Sequence, residues 1–249
     1  MKYGEIIQLG RHRLICGDAT NRDDVMRLIG DDRVDLVLTD PPYGMKCQHK
    51  DGAVGGGGSI KMRKIRDDIP IYHPQQFPLL VGNNSADTAR KHYSIAKHLT
   101  DKLIIWGGQY FADFLPVNGG WLFWDKLTGG NTDFSDGELA WCSVGKKLRK
   151  YSQKWNGIIR QGNFTLNLKR RVHPTQKPVE LHMHILEDFS QPGDVILDCF
   201  GGSGTTLIAC EITGRTCLMM EISPDYCSII ANRFNTLTQG TINFSGAIS

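Results

Sequence analysis

Short apolar runs that stop at a charged residue or a glycine, each followed by a stretch of helical character, recur from one end of the chain to the other. Val34-Asp35-Leu36-Val37-Leu38-Thr39 halts at Asp40-Pro41-Pro42-Tyr43, and Val195-Ile196-Leu197 runs into Asp198-Cys199-Phe200-Gly201-Gly202-Ser203-Gly204. Runs this short and this apolar suit strands covered on both faces. Their alternation with helices argues for an α/β fold with a mostly parallel sheet sandwiched between helices.

Arg13 to Cys16 reads as a strand ending at Gly17-Asp18, and Asn21 as the cap of a helix reaching Ile29. Helices are expected over Ala86 to Leu99, Val179 to Phe189, Thr205 to Thr213 and Asp225 to Leu237. Strands are expected over Leu103 to Trp106, Trp121 to Trp124, Glu138 to Val144, and Thr216 to Met220, the last ending at Glu221. The Trp121 and Glu138 strands, with little sequence between them, read as antiparallel neighbours. The 249 residues suit a single domain, 1–249, whose core needs neither disulfides nor metal. Met1 to Gly10 lacks the apolar run of a signal peptide, and no stretch approaches a bilayer span, so no membrane partner is expected. Seven scattered cysteines without a Cys-x-x-Cys pair read as reduced thiols of a cytoplasmic protein. His182 and His184, two apart, lie on different faces of a helix, so no metal site is expected.

Asp40-Pro41-Pro42-Tyr43 sits at the C-terminal end of a strand, the edge at which open α/β sheets bind ligands. It combines a carboxylate, two prolines that stiffen the backbone and remove its donors, and an aromatic face. Such a corner suits a planar amino group, which needs acceptors for its N–H bonds and a flat surface to stack on. The same four residues also arise as a plain strand-ending turn, because proline cannot continue a central ladder.

Around Asp198 to Thr206, a strand, a glycine cluster and a helix follow one another, so the backbone can approach a ligand and the helix N-terminus offers free N–H groups. Glu221, at the end of the next strand, is placed to accept from ribose hydroxyls. Together these predict an adenosine-containing cofactor. A Gly-Lys-Ser/Thr phosphate loop is absent, and Leu207 stands where a dinucleotide fingerprint wants a third glycine. Asp198 would repel a pyrophosphate, whereas it could receive the amino group of an amino acid.

The charge is unevenly laid out. Lys146 to Arg171 holds nine basic residues and no acidic one, and Gly44 to Arg66 holds six basic residues and one aspartate, on a chain of net charge +3. Two positive blocks on an otherwise acidic protein point to a polyanion, although charge runs also serve as solvated faces. Tyr151, Trp155 and Phe164 are interleaved in the second block, which suits base stacking and equally suits a small satellite core.

Asp40-Pro41-Pro42-Tyr43, then His173-Pro174-Thr175-Gln176-Lys177-Pro178, then Asp198-Cys199-Phe200-Gly201-Gly202-Ser203-Gly204-Thr205-Thr206 and Glu221, resemble the beta group of AdoMet-dependent DNA amino-methyltransferases. The likeness covers nearly all of Leu14 to Phe234, and its motifs stand in the circularly permuted order of that group, with the Asp40 motif before the glycine loop. Cys199 departs from the proline usual there. The resemblance implies a Rossmann-like methyltransferase fold with a mixed, mostly parallel seven-stranded sheet. It implies S-adenosyl-L-methionine as cofactor and double-stranded DNA as partner, and relatives commonly form two-fold homodimers. By position it assigns catalysis to Asp40, Pro41, Pro42 and Tyr43. The methionine end of the cofactor falls to Asp198, Phe200, Gly202, Ser203, Gly204 and Thr205, its closure to His173, Thr175 and Lys177, the ribose to Glu221, and the adenine to Asp18 and Ala19.

An aromatic amine has its lone pair delocalised into the ring, so methyl transfer needs the nitrogen pulled toward a tetrahedral shape. Asp40 and the Pro41 carbonyl can accept its two N–H bonds and do so. A cytosine C5 enzyme would use a cysteine after proline, and no Pro-Cys pair occurs. The amine must also leave the duplex, at a few kcal/mol. Stacking on Tyr43, about 1–3 kcal/mol, and charge-assisted bonds at Asp40, about 1.5–3 kcal/mol, are of the size to offset it. In the family it resembles, aspartate rather than serine at the head of the motif leans toward adenine N6, which the resemblance therefore implies here. Cytosine N4, an RNA-directed methylase and a catalytically silent nucleic-acid binder are the alternatives. Residues 44–70 are expected to be a mobile, glycine-rich loop carrying Lys46, Lys50, Lys61, Arg63 and Lys64. Residues 145–172 are expected to be a short target-recognition segment carrying Lys146, Lys147, Arg149, Lys150, Lys154, Arg170 and Arg171. So small a segment suits phosphate contacts and a short or relaxed site. Both a restriction-modification partner and a solitary enzyme fit these features.

Overall fold

The computed structural model describes residues 1–44, 86–117, 119–129, 135–156, 159–160 and 172–241. Its strands are β1 (Ile6–Leu9), β2 (His12–Cys16), β3 (Leu36–Thr39), β4 (Leu103–Trp106), β5 (Gly120–Asp125), β6 (Gly137–Cys142), β7 (Leu148–Ser152), β8 (Trp155–Asn156), β9 (Ile159–Arg160), β10 (Val195–Asp198) and β11 (Thr216–Glu221). The helices are α1 (Arg22–Ile29), α2 (Asp87–Ala96), α3 (Val179–Phe189), α4 (Thr205–Thr213) and α5 (Pro224–Thr236), with a 3₁₀ turn at Gly108–Phe111. Asn21 caps α1 by accepting from the Asp23 N–H, and Ser223 caps α5 by accepting from that of Tyr226, each filling one of the donors a helix start leaves open.

Nine strands form one sheet in the order β1-β2-β11-β10-β3-β4-β6-β5-β7, while β8 and β9 pair as a separate ribbon. The run β2, β11, β10, β3, β4 is parallel throughout, and β6 enters antiparallel between β4 and β5. The expected seven strands are thus exceeded at both edges. β1 folds back on β2 through Gly10, at φ 58°, and β7 joins β5 in parallel. Leu148-Arg149-Lys150-Tyr151-Ser152 carries no apolar alternation because it is an edge, where charged side chains discourage pairing with other chains.

Alternate residues of the central strands feed two cores. Leu36, Leu38, Ile104 and Trp106 pack with α3, α4 and α5, whereas Val37, Ile105, Leu197 and Leu218 pack with α1 and α2. Coverage on both sides explains why these strands are apolar at every position.

The chain leaves β10 through α4 to β11 on one side and β3 through α2 to β4 on the other, and β10 pairs directly with β3, Ile196 opposite Leu36. Their shared C-terminal edge is a topological switch point, the crevice where open α/β sheets bind ligands. It brings Asp40 and Asp198, 158 positions apart in sequence, to neighbouring strand ends.

Candidate active site

A cavity of about 500 Å³ opens along this edge. Its walls come from the ends of β2 (Gly17, Asp18, Ala19), β3 (Asp40 to Tyr43), β4 (Gly107), β10 (Asp198 to Ser203) and β11 (Glu221), together with His173, Thr175, Gln176 and Lys177. β6 runs opposite to these strands, so its first residues, Gly137 and Glu138, reach the same edge. The residues expected to handle an amine and those expected to hold a cofactor therefore share one space.

At the amine end, the Tyr43 hydroxyl donates to Oδ1 of Asp40 and the Lys177 ammonium donates to Oδ2. The Tyr43 ring stacks on Tyr110 at 5.3 Å between centroids and meets the edge of Phe111 at 6.0 Å. Gly107, at φ 71°, lies so close under Tyr43 that an added Cβ would stand 2.1 Å from the ring. Lys177, buried to 4% exposure, also contacts Oε2 of Glu138 at 3.1 Å, and Lys126 holds Oε1 of the same carboxylate at 2.7 Å. The Trp106 ring floors the Lys177 ammonium, 4.9 Å from its centroid. Burial lifts the Asp40 carboxyl above the usual carboxylate range, with Lys177 and Tyr43 opposing part of the rise. Burial also acts to raise Glu138, but Lys177 and Lys126 outweigh it and bring this group down to about 2. Glu138 is an anion at any working pH.

At the other end, Asp198 accepts from the Thr39 hydroxyl at 2.9 Å, the Phe200 N–H at 3.1 Å and the Thr206 hydroxyl at 2.6 Å. Burial raises its carboxyl to about 6. Three protein donors already surround the group expected to receive a ligand's ammonium. Glu221 accepts from the Gly202 N–H at 2.8 Å and the Ser223 N–H at 2.9 Å, and burial raises it to about 7. Gly202, at φ 51°, lines the cavity beneath His173. His173 meets Tyr226 edge-on at 4.6 Å and lies 3.1 Å from the Thr175 hydroxyl through Nδ1. Phe200 is braced by His92, 5.1 Å away, whose Nδ1 lies 3.2 Å from the Ala19 carbonyl. Asp18 turns its carboxylate onto Thr20.

Two expected cofactor residues are placed otherwise. Lys177 faces Asp40 and Glu138, because two carboxylates compensate its burial as no neutral wall could. Gly204 opens α4 at φ 78° and packs on Ile230, so its glycine serves the helix entry and the core. Ser203 and Thr205 line the cavity, and their oxygens lie 3.1 Å apart. Glu138, Lys126, Gly107 and Tyr110 escape sequence reading. The signal available for Glu138 was its place at the head of an antiparallel strand, which puts it at the ligand edge.

Lys46, Lys50, Lys61, Arg63, Lys64, Arg170 and Arg171 lie outside the described residues. Lys146, Lys147 and Lys154 are exposed. Arg149 pairs with Asp188 at 3.1 Å and Lys150 with Asp125 at 2.7 Å, both carboxylates of the protein itself. Tyr151 donates to Asp188 at 2.6 Å, and Trp155 is buried in the core. For Tyr151 and Trp155 the structure supports packing, while Phe164 lies outside the described residues. Among the described residues no cluster of ligating side chains suits a metal, and no helix is long and apolar enough to cross a membrane.

A family model described as DNA methylase matches residues 132–232. The type II methyltransferase M.HpaI of Haemophilus parainfluenzae is 34% identical over 251 aligned positions, spanning 92% of this chain and 76% of the relative. Among solved structures, the M1.HpyAVI-SAM complex superposes with a TM-score of 0.51 at 24% identity, covering 88% of this chain and 98% of that one. The PvuII DNA methyltransferase (cytosine-N4-specific) superposes with a TM-score of 0.58 at 16% identity, covering 94% and 90%. At such identities the two structural likenesses speak for the fold alone.

Proposed function

The chain belongs to the DNA amino-methyltransferase family, and on that premise we propose that it methylates the exocyclic N6 amine of an adenine extruded from duplex DNA. The observation that carries this reading is the single cavity shared by Asp40, Pro41, Pro42 and Tyr43 at one end and Gly202 and Glu221 at the other. The family's cofactor, S-adenosyl-L-methionine, supplies an electrophilic methyl on a sulfonium centre. Its fit here is supported by a carboxylate at a strand end for the ribose hydroxyls (Glu221), a ring on the wall (Phe200) and a glycine at positive φ that keeps side-chain bulk out of the cavity (Gly202). Asp18 and Ala19 would border the adenine.

The chain's own part is positional. Asp40 accepts one N–H of the target amine and the Pro41 carbonyl the other, which draws the nitrogen lone pair out of conjugation. Tyr43 would receive the extruded base by exchanging the Tyr110 ring now stacked on it. Cavity walls of Phe200, Pro42 and Tyr226 exclude water, which strengthens the charge-assisted bonds at Asp40. As the N–C bond forms at the expense of the methyl–sulfonium bond, which would leave a neutral thioether, the amine would become cationic and then shed one proton, which the Asp40 carboxylate, raised by burial, could accept. Lys146, Lys147 and Lys154 contribute phosphate contacts in this reading.

Incubation with labelled S-adenosyl-L-methionine and separate DNA and RNA, followed by digestion to nucleosides, tests base and polymer together. Label in N6-methyl-2′-deoxyadenosine from DNA is the expected result. Label in N4-methylcytosine would move the target to the other amine of the same chemistry, and label only in RNA would overturn the choice of polymer.

A further inference from the structure

Both oxygens of Asp40 are already engaged, Oδ1 by the Tyr43 hydroxyl and Oδ2 by the Lys177 ammonium. An incoming amine must share an oxygen with one of these donors or displace it, and it is held more tightly the less that oxygen is engaged by an ammonium. Tyr43 is confined by Gly107 below its ring, Tyr110 stacked on it and Phe111 at its edge. Lys177 has an alternative within reach, since its ammonium lies 3.1 Å from Oε2 of Glu138 and rests on the Trp106 ring. A buried ammonium cannot leave one carboxylate without another to receive it. Glu138 also keeps Lys126 on its other oxygen, so its charge stays compensated whether Lys177 leans toward it or away.

We propose that Glu138 is a positioning residue for methyl transfer, the second seat that draws the Lys177 ammonium off Asp40 when the target amine takes its place. The inference rests on the amine-methylation reading and goes beyond it, because it gives a role to a cavity residue to which that reading assigns neither the amine nor the cofactor. Lys177 acts as a latch that keeps the empty carboxylate paired, and Glu138 sets how readily the latch opens. A glutamine at 138 has the shape of the seat without its charge. It leaves Lys177 bound to Asp40, and the amine then competes against a full ion pair.

The test is a double-mutant cycle read by single-turnover methylation of DNA, with cofactor and DNA dissociation constants measured on each variant. Glu138→Gln is expected to slow transfer at least about tenfold with both dissociation constants within about twofold of wild type. Glu138→Asp, which keeps the charge, is expected to recover part of the rate. In a Lys177→Met background the latch is gone, and Glu138→Gln is expected to cost nothing further. A Glu138→Gln enzyme at wild-type rate, or costs that simply multiply in the double variant, would overturn the inference. If Glu138→Gln fails to fold, Glu138→Asp with and without Lys177→Met decides by the same criterion. A wild-type chain that methylates no DNA amine would instead remove the functional reading and this inference with it, a different outcome from an active wild type with an indifferent Glu138.

Discussion

Tyr43 donates its phenol hydrogen to Oδ1 of Asp40, three residues earlier in the chain, so the residue expected to stack on a base also caps the neighbouring carboxylate. That bond works against the rise burial imposes on Asp40. Tyr43→Phe keeps the ring and removes the bond, so the Asp40 carboxyl rises further and more of it is protonated on the acid side. The acid limb of the kcat profile should move to higher pH while kcat at its plateau falls less than about tenfold. Tyr43→Ala also removes the stacking surface, about 1–3 kcal/mol, and should cost 10- to 100-fold more. An acid limb unmoved in Tyr43→Phe would show that Asp40 does not govern it.

Asp40→Ala should abolish nearly all turnover and leave DNA affinity within about twofold, because phosphate contacts rather than this corner supply most binding. The fold should tolerate the change, since Lys177 keeps Glu138 as a partner. Single-turnover methylation and salt-matched DNA titrations check both halves. Substantial methylation by the variant would remove Asp40 from the chemistry.

Gly107 and Tyr43 make a sharper test of packing. A Cβ on Gly107 would stand 2.1 Å from the Tyr43 ring, at a φ of 71° that L residues rarely adopt. Gly107→Ala should therefore lose about 1–3 kcal/mol, push Tyr43 off its seat and lower kcat. Gly129 has a similar φ of 77° but open space around it. Gly129→Ala, measured by the same urea melts, reports the backbone strain alone, and equal losses in the two variants would mean the contact with Tyr43 does not matter.

The strand ends were legible because chemistry is printed where an apolar run stops, as at Thr39-Asp40 and Leu197-Asp198, and because β-branched and leucine-rich runs leave little choice of element. Helices α3 and α4 were legible to the residue, their ends marked by Pro178, Gly204 and Gly214. What stayed hidden depends on contacts across long separations. Lys177 and Asp40 are 137 residues apart, and nothing local says that the lysine of His-Pro-Thr-Gln-Lys-Pro turns toward the amine corner rather than the cofactor. β7 was hidden for another reason, that an edge strand stabilised by Arg149 and Tyr151 on Asp188 has the composition of a solvated loop.

Glu221 and Asp198 set a stability slope. Both carboxyls are raised by burial, to about 7 and about 6, so the folded protein holds protons that the unfolded chain releases. Such groups favour folding at acid pH, and that contribution is lost as pH rises through the folded value. Between the ordinary glutamate value of 4.5 and the folded value of about 7 at Glu221, the cofactor-free protein should lose on the order of 3 kcal/mol through this residue. Glu138, held near 2, acts with the opposite sign and only at lower pH. Buried His92 and His182, held down to about 4 and about 3, act with the opposite sign below their ordinary value of 6.5, so in urea melts from pH 5 to pH 8 the wild type should lose stability relative to Glu221→Gln as pH rises. An unchanged slope in the variant would mean another group carries it.

Among the described residues, Lys146, Lys147, Arg149, Lys150 and Lys154 of the 145–172 segment divide by their partners, and this predicts unequal salt effects. Arg149 and Lys150 already face Asp188 and Asp125, so a phosphate would have to compete with a carboxylate of the protein. Lys146, Lys147 and Lys154 are exposed and pair with no carboxylate among the described residues. Each phosphate contact contributes about −0.9 to the slope of log K against log salt. Replacing all three lysines by glutamine should flatten that slope by about 3 and weaken binding to every sequence alike. Replacing Arg149 and Lys150 should flatten it by less than 1 per residue and instead loosen β7, at about 1 kcal/mol or less for such exposed pairs. DNA titrations from low to moderate salt separate the two sets. If Arg149 and Lys150 carried the larger share, the edge strand would have to surrender its own ion pairs to grip DNA, and β7 would then be part of the interface rather than its support.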